Sequence, residues 1–442
     1  MGPRADPVPA DPDLPPRVDV VVIGGGIIGT STAFFLAQKG VSVALCEKGH
    51  IAGEQSSRNW GFCRQQGRDP RELPLIIESL RIWRGIDRLI EGETGFRQAG
   101  IVYLAEDAKA AAAHEKWLDY ARPYQLDTRI VSGPQLEALL PGAARQWPSA
   151  LHTASDGRAE PQKAAPAIAS AVRRLGGKIL TGCAVRGLDV AAGRVAGVVT
   201  EKGRIACGSA VLAGGAWSRL FCRNLGITLP QLKVRGSVMR TSPVANAPEA
   251  SLWAPGLGLR KRLDGGYNVA HGSLTTVDLV PDNLRFAKAF WPALRGAHTG
   301  LRFHFGKPFF EELAQPARWS LDRESPFERV RVLDPAPSAA LLDSAAATLR
   351  TAFPAFKEAR IEERWGGYID VTPDAVPVIS PVDTLPGFFI ATGFSGHGFG
   401  IGPGAGRLMA DLVSSATPIV DPAPYRFSRF SDGSKLEVIA GF

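Results

Sequence analysis

Near the N-terminus, the pattern of apolar and polar positions predicts a strand, a helix and a second strand. Residues 20–23 are all apolar, which is typical of a parallel strand buried on both faces. Gly24, Gly26 and Gly29 follow with the spacing G-x-G-x-x-G. Apolar residues then recur at helical spacing, and residues 41–45 predict the second strand.

This unit has the glycines that a dinucleotide-binding site requires. The first permits a tight turn, the second lets the backbone approach a pyrophosphate, and the third lets helix and strand pack closely. Glu47 follows Gly29 by 18 residues, where its carboxylate can accept hydrogen bonds from a ribose diol. An acidic residue at this position favours FAD or NAD over NADP.

The rest of the pattern predicts a mixed α/β chain. Helices are expected at 74–90, 108–122 and 161–175, and short strands with glycine turns at 178–207. Residues 210–213 form another apolar strand, which we expect beside the first one. From 229 to about 356, apolar and polar residues alternate in a pattern typical of antiparallel strands, and residues 264–266 predict a hairpin turn.

Two loops, one polar and one glycine-rich, are the segments most suited to bind the ligand or to take part in catalysis. Residues 49–69 follow the second strand, and Ser56, Ser57 and Arg58 there can donate to phosphate or ribose oxygens. The aromatic residues of this loop are poor surface residues, so a packed functional loop is favoured over a surface loop. Near the C-terminus, the turn 393–404 enters a helix and contains His397, which is either catalytic or a structural hydrogen-bond partner.

Composition excludes several other classes of protein. The 442 residues suffice for two domains or one large interleaved domain. The net charge is +8, but the arginines are scattered and no nucleic-acid motif is present, which favours a basic enzyme that binds anions. The five cysteines lack a C-x-x-C pair, which argues against a disulfide framework or a zinc site and for a reducing compartment. No apolar run is long enough to span a bilayer.

Taken together, these stretches resemble the D-amino-acid oxidase superfamily of FAD oxidoreductases, which includes sarcosine oxidase, glycine oxidase, D-amino-acid dehydrogenase and pipecolate oxidase. The resemblance rests on the N-terminal unit and on SSRNWGFCRQQGR, DGRAEP, VLAGGAWS, TPDAVPVI and GFSGHGFGIGPG, which span residues 20–410. It implies FAD, a Rossmann-like FAD-binding domain and an interleaved antiparallel-sheet substrate domain. The boundaries expected are 17–95, 148–228 and 357–425 for the first domain and 96–147 and 229–356 for the second, after a disordered segment 1–16.

The resemblance also implies a set of cofactor contacts. They are Gly24, Gly26, Ile27, Ile28, Glu47, Lys48, Ser56, Ser57, Arg58, Gln65, Val185, Gly214, Trp217, Gly367, Gly393, Ser395, Gly396, His397 and Gly398. Sarcosine oxidases attach flavin through a cysteine shortly before their T-P-D, but the corresponding place here looks like Gly367, so non-covalent FAD is expected.

A second departure concerns the substrate. Those enzymes carry a lysine directly after G-H-G-F that binds the substrate carboxylate, and here that position is Gly400. Arg64 is the first candidate for the missing cation, with Arg260 or Arg262 second, and His271 is expected to hydrogen-bond the substrate.

The implied function is oxidation of an amino acid C–N bond by hydride transfer to flavin N5, giving an imine that hydrolyses. The substrate is a D-amino acid or a cyclic or N-alkyl amino acid, and the electron acceptor is oxygen or a quinone-like compound. The alternatives are a 2-hydroxy acid oxidoreductase and a non-catalytic FAD-binding subunit.

The expected location is the cytoplasm. Residues 284–312 are basic and aromatic, which suits either a lid or membrane-surface helix, or a packed amphipathic helix pair. A membrane-surface helix would bring the protein to the inner membrane as a peripheral protein.

Overall fold

The computed structural model describes residues 2–297 and 300–439. Its strands are β1 (Val20–Ile23), β2 (Val43–Cys46), β3 (Phe62–Cys63), β4 (Arg97–Gln98), β5 (Ile101–Ala105), β6 (Arg129–Val131), β7 (Ser149–Thr153), β8 (Gly157–Arg158), β9 (Lys178–Leu180), β10 (Val185–Ala191), β11 (Arg194–Thr200), β12 (Gly203–Ala206), β13 (Ser209–Leu212), β14 (Leu232–Thr241), β15 (Ser251–Ala254), β16 (Leu257–Lys261), β17 (Tyr267–Ala270), β18 (Thr275–Asp278), β19 (Leu301–His304), β20 (Ile361–Val371), β21 (Val378–Pro381) and β22 (Phe388–Thr392).

The helices alternate with these strands along most of the chain. They are α1 (Ile27–Gln38), α2 (Gln55–Arg58), α3 (Leu73–Leu89), α4 (Ala108–Ala121), α5 (Gly133–Leu139), α6 (Pro161–Arg174), α7 (Ser218–Asn224), α8 (Pro281–Arg285), α9 (Ala287–Ala297), α10 (Lys307–Leu313), α11 (Pro326–Arg329), α12 (Ala339–Ala352) and α13 (Gly398–Val413). None of these helices combines the length and the apolar sequence that crossing a bilayer requires.

The N-terminal unit forms the centre of a largely parallel sheet. The strand order is β21-β22-β13-β1-β2-β9, and β1 pairs in parallel with both β2 and β13. This confirms that residues 210–213 lie beside the first strand. Helix α1 is buried almost all round because it packs against both α6 and α13.

A second, mostly antiparallel sheet carries the middle of the chain. Its order is β19-β18-β14-β17-β16-β15-β5-β7-β6, and β20 pairs with β14. The predicted hairpin is confirmed, since β16 and β17 pair antiparallel across the turn at 264–266. Together the two sheets confirm the predicted fold class of a Rossmann-like unit with an interleaved antiparallel sheet.

Two strands cross the predicted domain boundaries. Strand β7 was expected in the dinucleotide-binding part but pairs with β5 and β6 of the large sheet. Strand β20 likewise pairs with β14 over almost its whole length. Apolar alternation shows that a strand has a buried face, but it does not say which strand will be its neighbour.

The N-terminal segment differs from the disorder expected of it. Ala5 is buried, and Asp6 N–H donates to the Gln162 carbonyl at 2.9 Å. Asp11 forms a backbone hydrogen bond to the Ile179 carbonyl at 2.8 Å and accepts from Ile179 N–H through its side chain at 2.8 Å. Hydrogen bonds to the edge strand β9 thus order a segment whose composition is too polar to form a core of its own.

Candidate functional site

A cavity lies where the two sheets meet. Ile23, Cys46 and Leu212 line it from the carboxyl ends of β1, β2 and β13, which is where parallel sheets place ligands. Strands β14 and β20 of the large sheet line it from the other side, through residues that include Val238 and Tyr368. A ligand in this cavity would therefore touch both sheets.

The turn between β1 and α1 is shaped for close approach. Gly24 has a φ of +113°, and a Cβ at Gly29 would lie 1.9 Å from the Gly24 carbonyl oxygen, so the chain's own packing needs glycine at both positions. Among the described residues, a Cβ at Gly26 would meet only Ser56 Oγ, at 3.0 Å. Packing thus places little demand on Gly26, whereas a pyrophosphate against the helix N-terminus requires it.

The acidic residue after β2 faces the same end of the cavity. Glu47 accepts hydrogen bonds from Gly25 N–H and Gly49 N–H, both at 2.7 Å, which fix its carboxylate beside the cavity. Each oxygen retains a lone pair for a ribose hydroxyl. Lys48 is engaged by the protein instead, because its ammonium donates to Glu54 at 2.8 Å and to two backbone carbonyls.

Arg58 links the 49–69 loop, which contains the short helix α2, to strand β20. Its guanidinium donates to Asp334 at 2.6 Å and to the Gly366 carbonyl at 2.9 Å, and Trp365 Nε1 donates to the Arg58 carbonyl at 3.0 Å. A Cβ at Gly367 would lie 3.1 Å from the Arg58 side chain. The arginine therefore lines the cavity with both terminal nitrogens bonded to the protein, whereas its buried Nε has no partner among the described residues.

Arg64 lies on the wall of the cavity and is 7% exposed. Its guanidinium carbon is 5.4 Å from the ring centroid of Tyr103, and it donates to the Gln66 carbonyl. A Cβ at Gly400 would lie 3.0 Å from Cys63 Cα. The backbone that carries Arg64 thus fills the space that a lysine at position 400 would need.

A second buried arginine, which the sequence analysis did not single out, adjoins Arg64. Arg68 is 2% exposed, and it donates to the Arg64 carbonyl at 3.1 Å and to the His397 carbonyl at 3.3 Å. Burial, followed by the charge of Arg64, lowers the pKa of Arg68 to about 10, so it stays charged at neutral pH. Within the described residues, neither arginine forms an ion pair with a carboxylate, which makes this part of the cavity favourable to an anion.

His397 combines a structural contact with a place on the cavity wall. Its Nδ1 lies 3.1 Å from Oε2 of the fully buried Glu72. Burial, and then the charge of Arg68, lower the pKa of His397 to about 4, so the neutral ring donates from Nδ1 and leaves Nε2 as an acceptor. The contact with Glu72 is the structural partnership expected of this histidine, and a catalytic role stays a prediction.

His271 and two aromatic residues border the cavity on the side of the large sheet. His271 Nδ1 accepts from Leu274 N–H at 3.1 Å, which leaves the ring proton on Nε2 and makes this atom a donor. Tyr103 and Trp253 lie in ring contact, with centroids 5.3 Å apart. The guanidinium of Arg64 therefore lies against the ring of Tyr103, which in turn contacts the ring of Trp253.

Most of the predicted site residues come together in this cavity. Those that line it are Gly24, Gly26, Ile27, Ile28, Glu47, Lys48, Ser56, Arg58, Arg64, Val185, Gly214, Trp217, His271, Gly367, Ser395, Gly396, His397 and Gly398. Ser57, Gln65 and Gly393 do not: Ser57 is turned towards the Glu54 carbonyl, Gln65 bonds to Ser155, and Gly393 N–H donates to Asp370.

The alternative carboxylate anchors are also absent from the cavity wall. Arg260 is fully buried against Glu160, with an N–O distance of 2.7 Å, and Arg262 pairs with Asp264 at 3.0 Å. The sequence analysis also missed Tyr103, Trp253 and Tyr368, which line the cavity. These residues sit on strands without a motif, and only the pairing of strands distant in sequence brings them to the site.

Comparison with known proteins agrees with this geometry. The family described as DAO, FAD dependent oxidoreductase, matches residues 19–412. Sarcosine oxidase subunit beta of Rhodobacter capsulatus is 24% identical, over 97% of this chain and 92% of that protein. Glycine oxidase of Pseudomonas aeruginosa is 24% identical, over 92% of this chain and 97% of that protein. The structure of L-amino acid deaminase from Proteus myxofaciens, in complex with anthranilate, superposes with a TM-score of 0.94 at 37% identity, covering 97% of each chain.

The fold and the cavity define an FAD-dependent oxidoreductase. The chain belongs to the DAO family of FAD-dependent oxidoreductases, and it is an enzyme that acts on amino acids. The residues present fit FAD, since Gly26 leaves room for the pyrophosphate and Glu47 presents acceptors for the ribose.

Proposed function

We propose that this protein oxidises the Cα–N bond of an L-α-amino acid with an apolar side chain. The product is an imine, which hydrolyses to a 2-oxo acid and ammonia. The observation that carries the proposal is Arg64, a buried guanidinium on the cavity wall that lacks a carboxylate partner among the described residues. It lies against the ring of Tyr103, which in turn contacts the ring of Trp253. The L configuration is proposed from the similarity to the L-amino acid deaminase of Proteus myxofaciens.

Different residues of the cavity bind different parts of the substrate. Arg64 binds the carboxylate, because a guanidinium matches its two oxygens with parallel hydrogen bonds. The Tyr103 and Trp253 rings receive the side chain, and His271 Nε2–H donates to a polar atom of the substrate. FAD, when bound, accepts the hydride from Cα. Holding Cα in one orientation makes the transfer stereospecific.

The first test is anaerobic reduction of the holoenzyme. We expect L-phenylalanine and L-leucine to bleach the flavin absorbance and to release stoichiometric ammonia and 2-oxo acid. D-phenylalanine, L-proline, sarcosine and L-2-hydroxy-3-phenylpropanoate complete the panel. If only D-phenylalanine, L-proline or sarcosine bleaches the flavin, the proposed L-amino acid with an apolar side chain is wrong. The substrate is then a D-amino acid or a cyclic or N-alkyl amino acid, as first expected from the resemblance.

Two other outcomes overturn the proposal altogether. Bleaching by the hydroxy acid alone would make the protein a 2-hydroxy acid oxidoreductase, and no bleaching by any compound would favour a non-catalytic subunit. Admitting oxygen, or adding a soluble quinone anaerobically, to the reduced enzyme then identifies the electron acceptor by the rate at which absorbance returns.

We further propose that the exposed apolar side chains of segment 284–313 contact an anionic bilayer. Leu284, Trp291, Phe303, Phe305, Phe310 and Leu313 are between 55% and 76% exposed, and Phe305 and Phe310 are in ring contact. The exposed cations of this segment are Lys288, Arg302 and Lys307, of which Lys307 pairs with Glu311 at 3.1 Å. Clustered aromatic and cationic side chains suit the interface of a membrane with acidic headgroups. His298 and Thr299 of the predicted 284–312 segment lie outside the described residues.

Flotation with vesicles tests this second proposal. The holoenzyme should float with phosphatidylglycerol vesicles and less with phosphatidylcholine vesicles. Replacing Phe305 and Phe310 with serine should abolish flotation, while Leu175→Ser is the control because Leu175 is 48% exposed on another surface. Equal flotation of all variants, or none by the wild type, would overturn the proposal.

A further inference from the structure

The segment 153–156, between β7 and β8, holds the backbone next to Arg64. Asp156 accepts hydrogen bonds from Gln65 N–H at 2.8 Å and from Gln66 N–H at 3.1 Å. Thr153 Oγ1 donates to Gln66 Oε1 at 2.8 Å, and Gln65 Nε2 donates to Ser155 Oγ at 2.7 Å. Four hydrogen bonds therefore fix two consecutive residues that follow Arg64 directly.

These contacts reach the guanidinium through one residue, Gln66. The Gln66 carbonyl accepts from the Arg64 guanidinium, while the Gln66 N–H donates to Asp156. Gln66 is thus held on one side by Asp156 and holds Arg64 on the other. Movement of this residue would move the hydrogen-bond acceptor that orients the arginine.

Asp156 itself is not part of the cavity wall. Its side chain is fully buried and is absent from the residues that line the cavity. An isolated buried carboxylate is costly, and here two backbone N–H groups and the charge of Arg64 offset only part of that cost. Any effect of Asp156 on a ligand must therefore pass through residues 64–66.

We propose that Asp156 is a positioning residue that sets the place of the Arg64 guanidinium, and thereby the affinity of the site for a carboxylate. The inference rests on the proposed role of Arg64. It makes Asp156, the first residue of the DGRAEP stretch, part of the specificity for amino acids although it touches no ligand.

The protonation state of Asp156 gives the proposal a pH signature. Among the described residues, the charged and titratable groups around the carboxyl are Arg64, Arg68, Asp127, Tyr103 and the thiol of Cys63. Burial raises the pKa of Asp156 to about 7, against the opposing effect of the backbone hydrogen bonds and Arg64. The protonated acid carries a hydrogen on one oxygen, so one backbone N–H loses its acceptor. Carboxylate affinity should therefore be highest above pH 7 and fall as the pH drops below it.

A charged ligand and its neutral counterpart distinguish a positioning role of Asp156 from a merely structural one. Anthranilate carries a carboxylate and anthranilamide is its neutral counterpart, and binding of each to the holoenzyme is followed by the flavin spectrum. In Asp156→Asn we expect anthranilate to bind about ten-fold more weakly and anthranilamide to change less than two-fold, as the loss of one buried hydrogen bond implies. The fall in wild-type anthranilate affinity between pH 8 and pH 6 should disappear in the variant.

Asp119→Asn is the matched control. The side chain of Asp119 is 63% exposed and pairs with Arg122 at 2.6 Å, and within the described residues it contacts neither Asp156 nor the 64–66 segment. It should leave both affinities unchanged. If Asp156→Asn does not fold, Asp156→Glu keeps the charge, displaces the oxygens and should weaken anthranilate selectively.

The outcomes distinguish this inference from the function on which it rests. Equal weakening of both ligands, or no change in either, overturns the positioning role of Asp156 even if the wild type oxidises amino acids. A wild-type enzyme that binds anthranilate and anthranilamide equally well would instead overturn the carboxylate site itself.

Discussion

At the scale of single residues, the substrate end of the cavity depends on an exchange between two positions. Gly400 has no side chain, and the backbone at Cys63 occupies the space where one would lie. The same backbone carries Arg64 to the cavity wall. We propose that Arg64, from the 49–69 loop, takes the place of the lysine expected after G-H-G-F at position 400.

Replacing Arg64 tests this exchange. Losing a buried, charge-assisted contact should cost about 2–5 kcal/mol, because the substrate carboxylate would be left partly unpaired. We expect Arg64→Ala to retain FAD but to lower kcat/KM by one to three or more powers of ten, and Arg64→Lys to recover only part of it. Steady-state kinetics on an amino acid and on its decarboxylated amine measure the effect.

Arg262→Ala is the control for that experiment, since Arg262 pairs with Asp264 away from the cavity. It should leave kcat/KM close to the wild-type value. Loss of flavin from Arg64→Ala, or an equal loss of rate on amino acid and amine, would show that Arg64 does not anchor the carboxylate.

At the scale of elements, the N-terminus of α1 is the cofactor-binding feature that the chain presents most directly. The helix begins at Ile27, whose N–H donates to Ser56 Oγ at 2.8 Å, and its N-cap Gly26 has no side chain to satisfy the other N–H groups of the first turn. A phosphate can fill that role, since the helix dipole and the N–H groups both favour an anion.

Gly26→Val should therefore yield colourless protein. The added side chain would stand between the helix and the pyrophosphate, while its only near neighbour within the described chain is Ser56 Oγ. Gly85→Val on α3 is the control, because the described residues place no atom within 4 Å of a Cβ there. The ratio of flavin to protein absorbance measures occupancy, and full occupancy in Gly26→Val would contradict this cofactor placement.

Strand β20 bears on how the flavin is attached. It places Gly367 on the cavity wall, opposite Gly236 of β14. Because no cysteine occupies position 367, acid precipitation of the holoenzyme should release FAD into the supernatant. Flavin that remains with the pellet would indicate a covalent link through another residue.

At the scale of the whole molecule, distant parts of the chain are fastened together by polar contacts. The segment before β1 is fastened to β9 by Asp11, which also lies 3.4 Å from Arg173 and 3.9 Å from Lys178. The cavity is likewise built by two sheets whose strands interleave along the sequence.

We expect Asp11→Ala to destabilise the protein by about 1–2 kcal/mol, because Ile179 N–H would lose its acceptor. The measurement is the thermal or urea unfolding of holoprotein. Asp13→Ala is the matched control, since Asp13 is exposed two residues away. Equal stability of both variants and the wild type would mean that the Asp11 side chain does not stabilise the fold.

The dinucleotide-binding unit at residues 20–47 could be predicted from the sequence alone. The strand, the glycines, helix α1 and Glu47 lie within 28 residues, 20–47, so their contacts are local and their spacing carries the geometry. The neighbouring strand at 210–213 was predictable as well, because an apolar run before glycines suits the centre of a parallel sheet.

The tertiary structure was needed to assemble the part of the cavity around Arg64. Arg64 and His397 were predictable as site residues because both lie in recognisable motifs, but Tyr103 and Trp253 lie on strands without a motif. The tertiary structure brings these four residues, which are far apart in sequence, to one cavity. It also decided that Arg260 is bound to Glu160 rather than free for a ligand. The physical reason is the same throughout: residue type sets what a side chain can bind, but which partner it binds depends on strand pairing and burial across the whole fold.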